Sequence, residues 1–345
     1  MSEIRIAVAG VGNCCSSLLQ GVYYYGNDEA VGLRHAELAG YKPKDIRFVA
    51  AFDIADVKVG KDISEAIWAE PNNVPKFADV PRQKVKVQLG PAPDIVAKNA
   101  LSSIKRSEGE SVDVTEALIE AKAEIFVNLI SGGSDKAGAH YAQAALDAGC
   151  AYVNATPGSV ASDPKWVKKF ERSKLPLVGD DLLDQVGATV LHIGLLEFLV
   201  SRGVRVDESY QLDVGGGTES INTLEKTRDT KRIIKTAAVT GHVPYEFPLV
   251  SGSTDFVDFL GNGRDSFFWV KGRIFGGSPF NIDVKLSSFD SPNGGSVLLD
   301  VIRGVKVAKD KGLKGSIAAI NAYGFKKAEQ QNLAEIYKQF RDLAE

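Results

Sequence analysis

Two lysines four residues apart, Lys231 and Lys235 in Asp229-Thr-Lys-Arg-Ile-Ile-Lys235, are the first side chains here that suggest chemistry. On a helix that spacing puts both ammonium groups on one face. Like charges held together cost stability unless solvent or an anion offsets them. Spacing alone favours a solvated helix face. The functional alternative is a site for an anionic substrate, where a lysine with a neighbouring cation and partial burial has its pKa lowered and moves protons near neutral pH. Lys326, in Asn321-Ala-Tyr-Gly-Phe-Lys326, is a third candidate that composition alone does not select.

A second constellation opens the chain. The apolar run Ile4-Arg-Ile-Ala-Val-Ala ends in Gly10-Val-Gly12, and a helical pattern follows from Asn13-Cys14-Cys15. Gly10 permits a tight turn, Gly12 lets the backbone approach a pyrophosphate, and the first-turn N–H groups with the helix dipole favour that anion. Cys15 takes the third position of Gly-x-Gly-x-x-Gly, where a small residue still allows close helix–strand packing. A second strand, Ile46-Arg-Phe-Val-Ala-Ala-Phe52, ends in Asp53. An acid there can bond both ribose hydroxyls of NAD and repel the extra phosphate of NADP. It comes later than the usual spacing of about 20 residues, so residues 23–44 read as an insertion in the first crossover. The expected cofactor is NAD, held around Gly10, Gly12, Asn13, Cys14 and Asp53. A thiol at a helix start can be activated, but Cys14 and Cys15 serve equally as small packing residues beside a turn that already explains the site.

The elements that must position these groups alternate. Residues 62–69 read as a short helix, 70–82 as loop, 84–89 as a strand, and Pro91-Ala-Pro-Asp94 as a helix start. Helices at 112–122, 136–148, 163–170 and 188–202 alternate with strands at 124–130, 151–154 and 175–178. This predicts an α/β fold with a doubly wound parallel sheet covered on both faces. Ligands bind beyond the carboxyl ends of such strands. Ser131 to Ser134, Asn154 to Ser159, and Asp180 with Asp181 all lie there, beside the glycine turn. Past residue 203 the pattern changes. A strand at 204–214 ends in Gly215-Gly-Gly217, a polar helical segment covers 219–235, and alternating strands at 267–275 and 280–286 form an antiparallel unit. A long helix follows to about residue 311, and the tail from 327 to 345 reads as helical and charged.

Composition sets the boundaries. The chain has 345 residues and a net charge of -3, which suits two compact units with no call for nucleic acid or an anionic membrane. No apolar run is long enough to span a bilayer and no leader precedes the first strand, so a cytoplasmic protein is expected. Cys14, Cys15 and Cys150 fit a reducing compartment, and neither they nor His35, His140, His192 and His242 show metal-ligand spacing. The expectation is a site without metal and histidines in ordinary packing roles.

In order and spacing, Gly10 to Ser17, Phe48 to Asp53, Ala161 to Pro164, Val178 to Asp181, Gln185 to Thr189, Thr230 to Thr236, Asp290 to Asn293 and Ala322 to Lys326 together resemble the inositol-phosphate synthase family, in its shorter bacterial and archaeal form. The resemblance implies a Rossmann-like unit (1–200 with 290–345) closed by the C-terminal helix, and an inserted α+β catalytic and tetramerisation unit (201–289). It implies a sugar-phosphate substrate and a redox-neutral reaction with tightly held NAD. C5 of glucose 6-phosphate is oxidised, an enolate forms, C6 attacks the C1 aldehyde, and the hydride returns to give inositol 1-phosphate. The family's paired lysines match Lys231 and Lys235, and the lysine closing its last strand matches Lys326. Asp181 and Asp290 match aspartates near the nicotinamide and those lysines. The chain departs from the family pattern where Leu183 and Asp184 stand in place of Lys-Ser, and where Gly217-Thr-Glu219 stands in place of Asn-x-Asp. A further family lysine has no match near Ser253 and Thr254. These departures keep open a divergent relative that oxidises or cyclises a different sugar phosphate with NAD, and a non-catalytic NAD-binding regulator.

Overall fold

Strand β1 (Ile4–Ala9) sends Ile4, Ile6 and Val8 to one face and Ala7 and Ala9 to the other, and all five are fully buried. A strand covered on both sides belongs inside a parallel sheet. The computed structural model describes residues 3–27, 31–94, 104–329 and 331–345. In it β1 leads into α1 (Asn13–Tyr24), β2 (Ile46–Asp53), α2 (Ile63–Ala66) and β3 (Val87–Leu89). The alternation continues as α3 (Val114–Glu120), β4 (Ile125–Asn128), α4 (Asp135–Asp147), β5 (Ala151–Asn154), α5 (Pro164–Arg172), β6 (Pro176–Gly179) and α6 (Ala188–Ser201). Asp62, Asp113 and Asp163 cap their helices by accepting first-turn N–H groups, as short acceptors at that position do. The helix expected from Pro91 to Asp94 onward falls on residues 95–103, outside those described.

A second set follows: β7 (Arg205–Gly215), α7 (Thr218–Asn222), a π-helical turn (Thr223–Thr227), α8 (Arg228–Thr240), β8 (Leu249–Phe256), β9 (Gly263–Arg273) and β10 (Pro279–Phe289). The chain then returns through α9 (Asp290–Asp310), β11 (Gly315–Ser316), α10 (Ala318–Gly324) and α11 (Leu333–Ala344).

Among the described residues the larger sheet has seven strands in the order β11-β6-β5-β4-β1-β2-β3, and every neighbouring pair is parallel. This is the doubly wound α/β architecture expected. One apolar cluster joins Ile6 and Val8 to Leu18 of α1 and Leu298 and Ile302 of α9. The other joins Ala7 and Phe126 to Leu118, Tyr141 and Phe170 of α3, α4 and α5. Because β1 lies between β2 and β4, the chain leaves it in opposite directions, and a crevice opens at the carboxyl ends of β1 and β4.

The smaller sheet corrects an expectation. Its order is β10-β9-β7-β8; β9 pairs antiparallel with β7 and β10, but β8 pairs parallel with β7. The unit is mixed because α7 and α8 supply the crossover that a parallel pair needs. The sequence Leu-Val-Ser-Gly-Ser-Thr-Asp-Phe of β8 carries no sustained apolar period, so it escapes pattern reading. β11 and α10 likewise lacked a signal. Lys326 does not close a strand: it follows α10, and only an isolated bridge ties Phe325 to Leu182.

The expected insertion begins after Tyr24, where α1 ends. Its second half, residues 31–45, folds back onto α9. Arg303 is wholly buried and donates to the carbonyls of His35 (2.8 Å), Ala36 (3.3 Å) and Tyr41 (3.2 Å). It also pairs with Asp300, which meets His35 Nδ1 at 2.8 Å.

His192 of α6 is buried against the inner face of the smaller sheet. Its Nδ1 lies 3.3 Å from Gln211 Oε1 and its Nε2 2.8 Å from Ser209 Oγ. Burial pulls its pKa down from 6.5 to about 4. The unfolded chain takes up the proton near its ordinary pKa, so the stabilisation is complete above about pH 6.5 and lost as pH falls towards 4. About 3 kcal/mol is expected to disappear across that window. Urea titrations of the protein and of His192→Asn at pH 7 and pH 4 would test this. Equal pH slopes in the two proteins would refute it.

Candidate active site

The crevice divides into two contiguous clefts that share Gly12, Asn13, Leu129, Ile130 and Ser131. The first holds about 840 Å³ of open volume and is bounded by Gly10, Asp53, Lys58 and Tyr141. The second holds about 1100 Å³ and is bounded by Asp181, Asp184, Glu219, Lys231, Arg264 and Lys326, together with Asp290.

The glycine turn is built as its spacing demands. Gly10 has φ +89°, and a Cβ there would fall 2.7 Å from Leu129 O, so no other residue lets β1 and β4 turn side by side. A Cβ on Gly12 would meet nothing within 4 Å, which leaves the backbone open to the crevice. Asp53 Oδ2 accepts from Val11 N at 2.7 Å, and Oδ1 accepts from Ile54 N and Ala55 N at 2.7 and 2.9 Å. Asp53 therefore clamps the glycine turn to β2 while facing the first cleft. Asn13 is tied to Asn73 by hydrogen bonds of 3.0 and 2.9 Å. Burial, aided by Asp290, pushes the Cys14 thiol up to about 12, so it is a packing group at the helix start and no activated thiol.

The paired aspartates part company. Asp181 lines the second cleft with φ +62°, a left-handed conformation that a non-glycine residue seldom adopts. Its Oδ1 accepts from Lys326 Nζ at 3.1 Å, and its buried Oδ2 has no hydrogen-bond partner. Burial raises its pKa, but Lys326 and Lys231 outweigh this and hold the carboxyl below its usual range. Asp180 is a correction to the cofactor set. Its carboxylate is fully buried and accepts five hydrogen bonds, from Asn154 Nδ2, Val160 N, Ala161 N, Ser162 N and Ser162 Oγ. With that capacity spent, it pins the loop after β5 and does not border either cleft.

The lysines part in the same way. Lys231 borders the second cleft and pairs with Glu219 at 2.6 Å. Burial alone would lower its pKa; Glu219 and Asp181 overcome that and hold it well above the usual lysine range. It is thus a fixed charge, not the near-neutral proton carrier that the spacing suggested. Lys235 lies behind the cleft, buried, with Nζ 2.6 Å from Asp213 Oδ2. Burial draws its pKa down against the pull of Asp213. Lys326 and Asp290 border the second cleft as expected.

Arg264 is the main residue that sequence reasoning missed. It starts β9 opposite Gly215, and its Nη2 lies 3.0 Å from Asp290 Oδ2. Only strand pairing brings it there. The one local signal was the triple glycine, since a Cβ on Gly216 would fall 2.6 Å from Gly261 N. Asp184, noted only as a departure from a pattern, also borders the cleft; burial and Asp290 hold its carboxyl above the usual range, against Lys326.

A doubly wound sheet whose switch-point crevice opens into a cleft of compensated charges defines a nucleotide-binding enzyme fold with a polar reaction chamber. Residues 187–291 match the family model for myo-inositol-1-phosphate synthase. The chain is 44% identical over 338 residues to the inositol-3-phosphate synthase of Mycobacterium tuberculosis, covering 96% of this chain and 92% of that one. It is 42% identical over 344 residues to the inositol-3-phosphate synthase of Corynebacterium glutamicum, covering 96% and 94%. The crystal structure of Ari2 superposes with a TM-score of 0.80 at 32% identity over 99% of both chains. A myo-inositol-1-phosphate synthase-related protein from Thermotoga maritima shares the fold, with a TM-score of 0.80 at 21% identity over 99% of this chain and 98% of that one. The chain belongs to the myo-inositol-1-phosphate synthase family, a family of isomerases.

Proposed function

We propose that this protein converts D-glucose 6-phosphate to 1L-myo-inositol 1-phosphate, using NAD catalytically. The observation that carries the reading is the meeting of Lys231, Arg264 and Lys326 in a cleft continuous with the glycine turn. The residues present fit the dinucleotide: Gly12 leaves an open cradle beside the first turn of α1, and Asp53 faces the adjoining cleft. Gly10, Gly12, Asn13, Cys14, Asp53 and Ser131 would hold NAD, with Asp181 at the reacting end. Bound NAD would supply a reversible hydride acceptor, which makes the conversion redox-neutral.

The chain's own residues handle charge. Enolisation and ring closure each build negative charge on a substrate oxygen. Lys231, held protonated by Glu219, and Arg264, oriented by Asp290, offer positive charge in place before that oxyanion forms. Lys326, anchored on Asp181, adds a third cation. Lys235 acts from behind, since its charge is felt at Asp181 and Asp184.

We take residues 1–200 with 290–345 as the nucleotide-binding unit and 201–289 as the inserted catalytic unit. A homotetramer is supported by the smaller sheet. Strand β10 is an 11-residue edge, Phe275 beside its hairpin is 98% exposed, and Tyr210 stacks on Trp269 at 5.6 Å. Long exposed edges and apolar faces are ordinarily covered. No helix among the described residues is long and apolar enough to cross a membrane, and we place the enzyme in the cytoplasm.

The test is incubation with glucose 6-phosphate and substoichiometric NAD, followed by phosphorus NMR and NADH absorbance. Inositol phosphate without lasting NADH is the expected result; its absence would sink the assignment. Asp184 favours one second reading, a divergent relative that oxidises or cyclises another sugar phosphate with NAD. Bound NAD without inositol phosphate would point there.

A further inference from the structure

The ionic groups of the second cleft can be matched one by one. Glu219 takes Lys231, Asp290 takes Arg264, and Asp181 takes Lys326. The fourth acid is left over. Among the described residues no hydrogen bond or ion pair is made by the Asp184 carboxyl, and the buried Oδ2 of Asp181 is also unspent. The cleft wall thus keeps spare acceptors, while each of its three cations already has an acid.

Asp184 also stands where an anion would otherwise settle. Its Oδ2 lies against Gly187, the residue that caps α6 without a side-chain hydrogen bond; a Cβ on Gly187 would fall 2.6 Å from that oxygen. A fourteen-residue helix presents unpaired N–H groups and a positive dipole end at this point. With a carboxylate already beside it, an incoming phosphate meets like charge. Leu183, next to it, contributes no compensating cation.

We propose that Asp184 determines specificity in this cleft: it receives a neutral hydroxyl of the sugar at the N-terminal end of α6 and turns the phosphate away from that wall. The inference rests on the sugar-phosphate reading and names which end of the substrate faces which wall. Asp181 Oδ2 is the second acceptor for the same polyol face. Donors on a sugar are hydroxyls, and an acceptor-only wall selects them over an ester phosphate, which at neutral pH is itself an acceptor.

The experiment measures binding of inorganic phosphate and of glucose 6-phosphate to the NAD-saturated protein by calorimetry, for the wild type, Asp184→Ser and Asp184→Asn. NAD binding and melting temperature serve as controls on folding. In Asp184→Ser, phosphate is expected to bind about tenfold tighter, because the like charge is gone. Glucose 6-phosphate is expected to bind about tenfold weaker, because a charged acceptor is lost. Asp184→Asn keeps an acceptor, so it should tighten phosphate yet hold glucose 6-phosphate within about threefold. Opposite signs for the two ligands in Asp184→Ser support the proposal. If both ligands tighten, Asp184 is only a repelling charge; if neither changes, it faces no ligand; either result overturns the proposal. Failure of the underlying reading shows separately, in a wild type that neither binds nor turns over glucose 6-phosphate.

Discussion

Lys231→Met is expected to lower kcat for inositol phosphate formation roughly 10²–10³-fold while NAD stays bound. The ammonium borders the second cleft, and Glu219 and Asp181 keep it charged at every working pH. Methionine keeps much of the length and removes the charge. Two effects then add. The oxyanion loses a preorganised cation, and Glu219 is left unpaired in a cleft that also contains Asp184 and Asp290. The local field turns negative where negative charge must form. Ground-state binding depends on the whole cleft, so KM should move less than kcat. Steady-state kinetics beside a fluorescence titration of NAD separates these effects. A variant retaining more than a tenth of wild-type kcat would remove Lys231 from the chemistry.

Arg303→Met should cost about 3–5 kcal/mol of folding stability, the size associated with breaking one half of a buried ion pair. The guanidinium is fully buried and far from either cleft lining. It satisfies the carbonyls of His35, Ala36, Tyr41 and Leu299 and faces Asp300. Removing it strands those acceptors and leaves Asp300 with only His35 and Tyr323 beside it. Asp300→Asn in the same background should recover part of the loss by removing the stranded charge. Urea unfolding followed by tryptophan fluorescence measures both. A loss below about 1 kcal/mol would mean that water replaces the arginine without cost.

The nucleotide side of the site was legible because its chemistry is local. Gly10, Gly12 and Asp53 sit within one turn of their strand ends, and the backbone conformation that each must adopt follows from residue type. The catalytic side was legible only in part. Asp180 and Asp181 read as one acidic pair, yet neighbouring residues leaving a strand point to opposite sides; one became a loop anchor and the other a cleft wall. Lys231 and Lys235 do share a helix, but four residues advance the axis by about 6 Å, enough to put one in the cleft and the other behind it. Arg264 depends on the register of β9 against β7, which no local pattern encodes. The strand β8 was missed for a related reason. Its ladder partner and its crossover define it, and its own side chains carry little apolar signal.

Helix α9 carries a consequence for how the molecule is made. It covers one face of the larger sheet, and β11 completes that sheet's edge beside β6, yet both are encoded after the whole of the smaller sheet. During synthesis from the N-terminus, six of the seven strands emerge while the face beside Ile6 and Val8 still lacks its covering helix. The nucleotide-binding unit cannot seal its interior until the ribosome has nearly finished, so its maturation is tied to that of the inserted sheet. Order of translation makes the cofactor chamber the last part of this protein to close.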